Sequence, residues 1–163
     1  KNMDSRGYYQ EKFQINKIKD VSKLNGLDFN FEIKQASLAF NLKKGTTRGV
    51  HIEPWNKLIY IIRGKVYSNF VDTRDGKFNS VGIELDDSKV VYLPEGVGNS
   101  FQTLEDNVYY HYLQDETWNA SIAAAGNYSK LNLKDPSLNL YFPIALDSDN
   151  VTISERDLSI PYI

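Results

Sequence analysis

Eight short runs rich in β-branched and aromatic residues occupy most of the chain between residues 29 and 114. Turn-forming sequences separate them, including "RDGK" (74–77) and "PEGVGNS" (94–100), whose glycines and asparagines accept the positive φ of tight turns. Many short strands at a spacing of about 8–12 residues indicate a sandwich or barrel, so we predict an all-β, two-sheet jelly roll. We interpret these runs as strands: "FNFEIKQASLAFNL", "TRGVHIE", "KLIYIIRG", "KVYSNFVDTR", "FNSVGIEL", "KVVYLPEG", "NSFQTLE" and "NVYYHYLQ".

Helical signals are weak by comparison. No segment keeps a 3.6-residue period over a dozen positions, so we expect only short helical turns, at "DVSKLNGL" (20–27) and "NASIAAAGN" (119–127). No internal repeat or low-complexity linker interrupts the 163 residues, which is the length of one ordinary domain. We therefore expect residues 1–163 to form a single domain.

Composition excludes several classes of partner. The net charge of −2 gives no electrostatic support for binding nucleic acid, and no stretch approaches the roughly 20 apolar residues of a membrane span. The chain has no cysteine, so neither disulfides nor thiolate metal sites are expected. Together with the absence of a charged-then-apolar leader in the printed sequence, this composition predicts a cytoplasmic location.

The chain contains two histidines, His51 and His111, which are 60 positions apart and form no H-x-H pair. Because β-barrel metal sites draw on several imidazoles, we expect no metal, and the absence of phosphate-loop or dinucleotide motifs leaves no cofactor to expect. General acid–base chemistry remains, and His51 is the natural candidate because the ordinary pKa of histidine lies near neutrality. On composition alone, a packed and hydrogen-bonded strand histidine fits both positions at least as well.

The stretch "TTRGVHIE" (46–53) places Arg48 three residues before His51. On a regular strand two such side chains point to opposite faces. A bulge at Gly49 would bring them to the same face. The sequence leaves both arrangements open.

Seven segments, in order along almost the whole chain, are similar to the motifs of one protein family. They are "DSRGYYQEKF" (4–13), "RGVH" (48–51), "NKLIYIIRGKVY" (56–67), "FVDTR" (70–74), "VYLPEGVGNSF" (91–101), "KDPSLNLYFP" (134–143) and "ISERD" (153–157). Through them the chain resembles a divergent dTDP-4-dehydrorhamnose 3,5-epimerase, a sugar-nucleotide epimerase of the cupin superfamily. The resemblance implies the cupin-type double-stranded β-helix, which is a jelly roll, and a role in deoxysugar or polysaccharide biosynthesis.

The resemblance also implies a reaction that needs no metal and no cofactor. A nucleotide-diphospho-4-keto-6-deoxy sugar would lose a proton beside its C4 ketone and pass through an enolate. In that reaction His51 corresponds to the base, and Asp157 to the partner that orients its ring. Lys57 corresponds to the lysine that stabilises negative charge on the ketone oxygen.

Substrate-binding residues follow from the same motifs. Arg6 and Arg48 match arginines that bind the diphosphate, and Gln35 matches a glutamine that contacts phosphate. Tyr9 and Glu11 match N-terminal positions that reach the nucleotide base of the neighbouring subunit. The resemblance therefore implies a homodimer whose sites are shared across the interface.

The chain departs from the family pattern at several positions, among them Phe142 for a tryptophan and a shorter loop after "VDTR", and three departures bear on the chemistry. Asn99 replaces a histidine, Ser68 replaces an aspartate, and Trp118 stands where the family has a tyrosine acid. Asn99 and Trp118 can still contact the sugar, but an indole cannot serve as a general acid. We therefore predict an epimerase of altered scope, which acts at one centre instead of two or on a different 4-keto sugar nucleotide, with Tyr112, Tyr128 or water as the proton donor. The alternatives are a sugar-nucleotide-binding jelly roll with impaired catalysis and a sugar-nucleotide ketoisomerase.

Overall fold

Antiparallel strands make up most of the computed structural model, which describes residues 1–121 and 128–163. Helix α1 spans Ile15–Leu24, helix α2 spans Glu155–Leu158, and a 3-10 turn spans Pro136–Leu138. The strands are β1 (Asn2–Asp4), β2 (Gly7–Tyr9), β3 (Gln35–Asn41), β4 (Thr47–Ile52), β5 (Lys57–Arg63), β6 (Val66–Asp72), β7 (Asn79–Leu85), β8 (Val90–Leu93), β9 (Val97–Thr103), β10 (Val108–Gln114) and β11 (Ser129–Lys130).

The strand order confirms the jelly roll. One sheet has the order β3-β10-β5-β8, and the facing sheet has the order β11-β4-β9-β6-β7. The eight predicted strands are β3 to β10, and consecutive strands fall in opposite sheets except for β6 and β7, which form a hairpin. This crossing pattern puts the ends of strands that are far apart in sequence beside one another.

The first predicted strand was too long. We expected it to begin near Phe29, but β3 begins at Gln35. Phe29 instead packs into an apolar cluster on the outer face of the β3-β10-β5-β8 sheet, with its ring centroid 4.8 Å from that of Tyr92. The alternating pattern of residues 29–34 therefore reflects aromatic packing over the sheet and not ladder pairing within it.

Helix α1 is longer than the turn that we expected at 20–27. It begins at Ile15, and its side chains at Ile15 and Ile18 join the same outer cluster, while Ser22, one turn further on, is buried. Tertiary contact thus stabilises ten helical residues whose own periodicity is weak. Most of the second expected turn, residues 122–127, lies outside the described residues. In the part of the chain that is described, no helix is long and apolar enough to cross a membrane.

The core lies between the two sheets, where strand alternation turns every second side chain inward. Phe101 of β9 stacks on Tyr110 of β10, with ring centroids 4.1 Å apart and planes 11° apart. Around this stack lie buried aliphatic and aromatic residues from both sheets: Ile59, Ile61, Val66, Phe70, Leu85, Leu93, Val97 and Val108.

The C-terminal segment lies along the outside of β4. Thr46 and Thr152 form a parallel bridge, and the amide of Thr47 donates to the carbonyl of Thr152 at 2.9 Å. Val50 and Leu131 exchange two backbone hydrogen bonds nearby. These contacts bring α2 against β4, although more than 100 residues of chain separate them.

A bulge in β4 decides which way its side chains point. In the pairing with β9, Arg48 lies opposite Phe101 and His51 lies opposite Asn99, so β4 carries one residue more than its partner. The irregularity falls at Gly49, whose φ is +105° and whose added Cβ would lie 2.5 Å from the carbonyl oxygen of Asn99. The bulge puts Arg48 and His51 on the same face, which settles the alternative that the sequence left open.

Candidate active site

A cavity of about 120 Å³ opens between the inner faces of the two sheets. Strands β4 and β9 form one wall, and strands β3 and β10 form the facing wall. The inter-sheet cavity is lined by Ala39, Arg48, Gly49, His51, Asn99, Phe101, Tyr110 and Tyr112.

His51 and Asp157 meet beside this cavity. Nε2 of His51 lies 3.3 Å from Oδ1 of Asp157. A carboxylate only accepts hydrogen bonds, so Nε2 carries the proton and Nδ1 keeps its lone pair. Asp157 is itself buried at the start of α2, where its amide donates to Oγ of the N-cap residue Ser154.

Electrostatics keep this histidine neutral and its partner ionised. Burial lowers the pKa of His51, and the attraction of Asp157 offsets that effect only in part. Burial acts to raise the pKa of Asp157, but His51, Ser154 and Lys130 together outweigh it, so the pKa of Asp157 lies below its usual value. A neutral imidazole held by a carboxylate is suited to accept a proton.

Lys57 lies at the start of β5 and is 4% exposed. Its ammonium donates to Oδ1 of Asn99 at 2.9 Å and to Oε2 of Glu53. Burial lowers the pKa of Lys57, and Glu53 acts in the opposite direction. The cation also lies 5.2 Å from the ring centroid of Tyr112, so it reaches into the space between the two walls.

Two tyrosines flank the histidine from different sides. Tyr112 belongs to β10 and lines the wall that faces His51. Tyr128 directly precedes β11, which pairs with β4, and its ring centroid lies 6.0 Å from that of His51. Burial raises the pKa of both phenols, which therefore keep their protons at neutral pH.

Uncharged polar side chains lie at the inner end of the cavity, beside the ammonium of Lys57. Ser68, Asn99 and Tyr110 are all buried there, and among the described residues the hydroxyls of Tyr110 and Ser68 have no hydrogen-bond partner. Burial raises the pKa of Tyr110, so this group also stays neutral. Two of these residues depart from the family pattern: the amide of Asn99 replaces an imidazole, and the hydroxyl of Ser68 replaces a carboxyl.

Arg48 reaches the same cavity from the bulge. Its Nε donates to Oδ1 of Asn41 at 2.8 Å, which fixes the guanidinium on the β3 side of the wall. The terminal nitrogens of the guanidinium keep their fork geometry for an oxyanion.

Gln35 and Trp118 lie together at the rim. The backbone amide of Trp118 donates to Oε1 of Gln35 at 2.9 Å, and Nε2 of Gln35 donates to Oε1 of Gln114 at 3.1 Å. Gln114 pairs with Lys57 across β10 and β5, so this group lies at the lysine end of the sheet. The Trp118 side chain is 53% exposed and does not line the inter-sheet cavity.

Arg6, Tyr9 and Glu11 lie apart from the cavity of their own chain. Arg6 pairs with Asp4 in the exposed β1-β2 hairpin. Glu11 accepts a hydrogen bond from Gln14 at 2.8 Å, and Tyr9 is 69% exposed.

The following residues anchor this segment at the far end of β5. Lys12 donates to the carbonyl oxygen of Ile61, which lies four positions from Lys57, or about 13 Å at the usual strand rise. The three N-terminal residues are therefore not brought together with His51 within one chain.

Two charged residues of the site were missed in the sequence. Glu53 follows His51 by two positions, so strand alternation alone places it on the same face, and this signal was available. Lys130 donates to Oδ1 of Asp157 at 3.3 Å. Only the pairing of Lys130 with His51 across β11 and β4 reveals it. Within residues 1–121 and 128–163, no group of three or more histidine, aspartate or glutamate side chains could hold a metal ion.

Comparison with known proteins gives a consistent result. A family model described as dTDP-4-dehydrorhamnose 3,5-epimerase matches residues 1–163. The protein is 31% identical to the Protein RmlC homolog of Streptococcus pyogenes serotype M6, covering 98% of this chain and 79% of that one. It is 26% identical to the dTDP-4-dehydrorhamnose 3,5-epimerase of Methanothermobacter thermautotrophicus, covering 94% of this chain and 80% of that one.

A solved structure of RmlC from Streptococcus suis, in complex with dTDP-D-xylose, matches with a TM-score of 0.79 and 32% identity. The match covers 98% of this chain and 80% of that one. Sequence motifs, strand order and whole-chain similarity thus agree, and the chain belongs to the dTDP-4-dehydrorhamnose 3,5-epimerase family of isomerases.

Proposed function

We propose that the protein epimerises a nucleotide-diphospho-4-keto-6-deoxy sugar at one carbon beside the ketone, with His51 as the base. The observation that carries the proposal is the grouping of three side chains at one small cavity. His51 lines it, Asp157 of α2 contacts His51, and Lys57 of β5 contacts the lining residue Asn99. A neutral imidazole, a carboxylate that orients it and a buried cation are the groups that enolate chemistry needs.

The first step is removal of the proton. A carbon next to a ketone is acidic because the resulting carbanion delocalises onto oxygen as an enolate. Nδ1 of His51 takes the proton, and Asp157 stabilises the imidazolium that forms. The ammonium of Lys57 stabilises the negative charge that develops on the ketone oxygen.

The second step returns a proton to the opposite face of the sugar. Tyr112 is suited to this role because it lies on the wall that faces His51, whereas Tyr128 lies on the same side as the base. Trp118, at the family position of the acid, is exposed, and its indole N–H cannot serve as a general acid. His51 gains one proton and Tyr112 loses one, so exchange with solvent resets both groups.

The diphosphate is bound at the rim. Arg48 presents a guanidinium fixed by Asn41, and Gln35 lies at the neighbouring edge of β3. The S. suis relative was crystallised with a dTDP-sugar, and this supports a thymidine nucleotide here as well.

A homodimer would complete the site. The N-terminal residues Arg6, Tyr9 and Glu11 are exposed and lie far from their own cavity, so they are placed to serve a neighbouring one. On the outer face of the β3-β10-β5-β8 sheet, three large apolar side chains are exposed and available to a second copy: Leu38, Phe40 and Ile62.

Heterodimers of two inactive variants test the shared site. We expect Arg6→Ala and His51→Asn homodimers each to have low activity, for different reasons. Mixed dimers of the two would contain one cavity with both residues intact and should recover a fraction of the wild-type rate.

Light scattering should give twice the chain mass of 18.7 kDa, and a mass of 18.7 kDa would contradict the dimer. The cytoplasmic location stays a prediction, with which the cysteine-free composition is compatible.

Deuterium exchange tests the reaction itself. The protein is incubated in deuterated water with a dTDP-4-keto-6-deoxy sugar, and deuterium is followed at both carbons that flank the ketone. Incorporation at one carbon with inversion supports the proposal, and incorporation at both indicates a double epimerisation. Incorporation followed by migration of the carbonyl would indicate the ketoisomerase. Tight binding without any exchange would leave the sugar-nucleotide-binding protein as the better description.

A further inference from the structure

We propose that Glu53 is a positioning residue that keeps the ammonium of Lys57 charged and directed at the substrate oxygen. The inference rests on the proposed function, because it concerns the group that stabilises the enolate. It adds a residue that the sequence motifs did not assign.

The geometry begins with strand alternation. Glu53 directly follows β4 and shares the face of His51, two positions earlier. Only three residues separate it from Lys57, at the start of β5, so the turn between the strands brings carboxylate and ammonium together. The two side chains are 11% and 5% exposed, and the ion pair is therefore largely closed to water.

The ammonium of Lys57 has three N–H groups that can donate hydrogen bonds. Oε2 of Glu53 accepts one, and Oδ1 of Asn99 accepts another at 2.9 Å. With two directions fixed, the third N–H is held in the space between the walls, where Tyr112 borders it. A cation that is already oriented loses little freedom when the enolate forms.

Charge explains why a carboxylate is needed. The titratable groups around Lys57 are Glu53 and His51 on the β4 side and Tyr110 and Tyr112 on β10, and His51 and both phenols are neutral at pH 7. Among the described residues, Glu53 is the one carboxylate that forms an ion pair with Lys57.

Without Glu53 the ammonium would be a buried charge with no counter-ion. Such a group gives up its proton instead of remaining charged. Burial already lowers the pKa of Lys57, and Glu53 is the group that opposes this. A neutral lysine could not stabilise an enolate.

The test compares wild type with Glu53→Gln, which keeps the shape and removes the charge. Lysines are labelled with ¹³C at Cε, the Lys57 signal is identified from its absence in Lys57→Met, and its titration is followed by NMR. We expect the pKa of Lys57 to fall in Glu53→Gln. In the same variant the ratio of its kcat to the wild-type kcat should fall about tenfold or more as the pH rises from 6 to 9, since one pKa unit corresponds to a tenfold change in protonation.

Glu84→Gln is the matched control, because Glu84 of the edge strand β7 forms an exposed ion pair with Lys65. It should leave both the Lys57 titration and the pH profile unchanged. An unchanged Lys57 pKa in folded Glu53→Gln would overturn the proposal. A uniform loss of kcat at all pH values would also overturn it, because it would indicate a purely structural role.

Two further outcomes are decisive. If Glu53→Gln does not fold, adding Lys57→Met should restore folding, because the double variant buries no unpaired charge. Failure of this rescue would overturn the proposed role of the Glu53–Lys57 ion pair. If the wild type shows no exchange with any sugar nucleotide while the Lys57 titration still depends on Glu53, the proposed function fails and the role of Glu53 in charging Lys57 stands.

Discussion

Nε2 of His51 lies 3.3 Å from Oδ1 of Asp157, although 106 positions separate the two residues in the chain. One residue belongs to β4 in the inner wall of the jelly roll, and the other lies in the first turn of α2 in the C-terminal segment. Backbone pairing between Thr46 and Thr152 is what brings these segments together. Lys130 reaches the same carboxylate oxygen from β11. The dyad is thus a tertiary feature built on three chain segments.

Replacement of the base gives the first prediction. We expect His51→Asn to lower the rates of both deuterium exchange and epimerisation by about 10²–10⁴-fold, the usual contribution of a positioned general base. Calorimetric titration with dTDP should show binding close to that of wild type, because His51 does not contact the diphosphate groups in this proposal. The matched control is His111→Asn, on the outer sheet face against Tyr60, which should keep most of the activity. Equal losses in the two variants would contradict the assignment of His51.

Tyrosine replacement separates the two candidate acids. In Tyr112→Phe the base remains, so a proton can still leave and return on the same face. We expect deuterium exchange to persist while formation of the inverted product falls by about 10²-fold or more. Tyr128→Phe is the matched control, since Tyr128 lies on the side of the base, and it should still invert the centre. If Tyr128→Phe alone loses inversion, the roles of the two tyrosines are the reverse of our proposal.

Lys130→Met should move the acid limb of the activity profile. His51 acts only in its neutral form, and the positive charge of Lys130 lowers the pKa of His51, in addition to the larger effect of burial. Removing that charge raises the pKa of His51, so protonation inactivates the base at a higher pH. We therefore expect the acid limb of kcat/KM to move to higher pH, as measured from pH 5 to 9. Lys134→Met, at an exposed position nearby, should leave the limb in place.

Gly49→Ala should disturb both stability and activity. The positive φ of Gly49 and the closeness of the Asn99 carbonyl leave no room for a Cβ. We expect a loss of about 2 kcal/mol or more in the free energy of unfolding, measured by denaturant titration, together with loss of activity as the bulge shifts. Gly76→Ala is the control, because its φ is also positive but its Cβ would meet open space. It should cost less stability and leave the rate unchanged, and equal effects would contradict the role of the bulge.

Much of the architecture was predictable from local pattern. The eight alternating runs correspond to β3–β10, because alternation is imposed by the facing sheets themselves. The errors lie where tertiary packing overrides pattern, as in residues 29–34, which alternate but cover the sheet. The two-residue strand β11 has too little sequence for any pattern, and it carries Lys130, which was missed.

The sequence by itself determined the jelly roll, the family and the candidates His51, Asp157 and Lys57, because strand alternation and ordered motifs are properties of the chain alone. Only the tertiary structure decided that Arg48 and His51 share a face, since that depends on how β4 pairs with β9 around Gly49. It also decided that Tyr112 lies across the cavity from the base. The physical reason is the same in both cases. The sequence specifies which side chains alternate along each strand, but the register of that strand and the residues opposite it depend on the strands against which it packs.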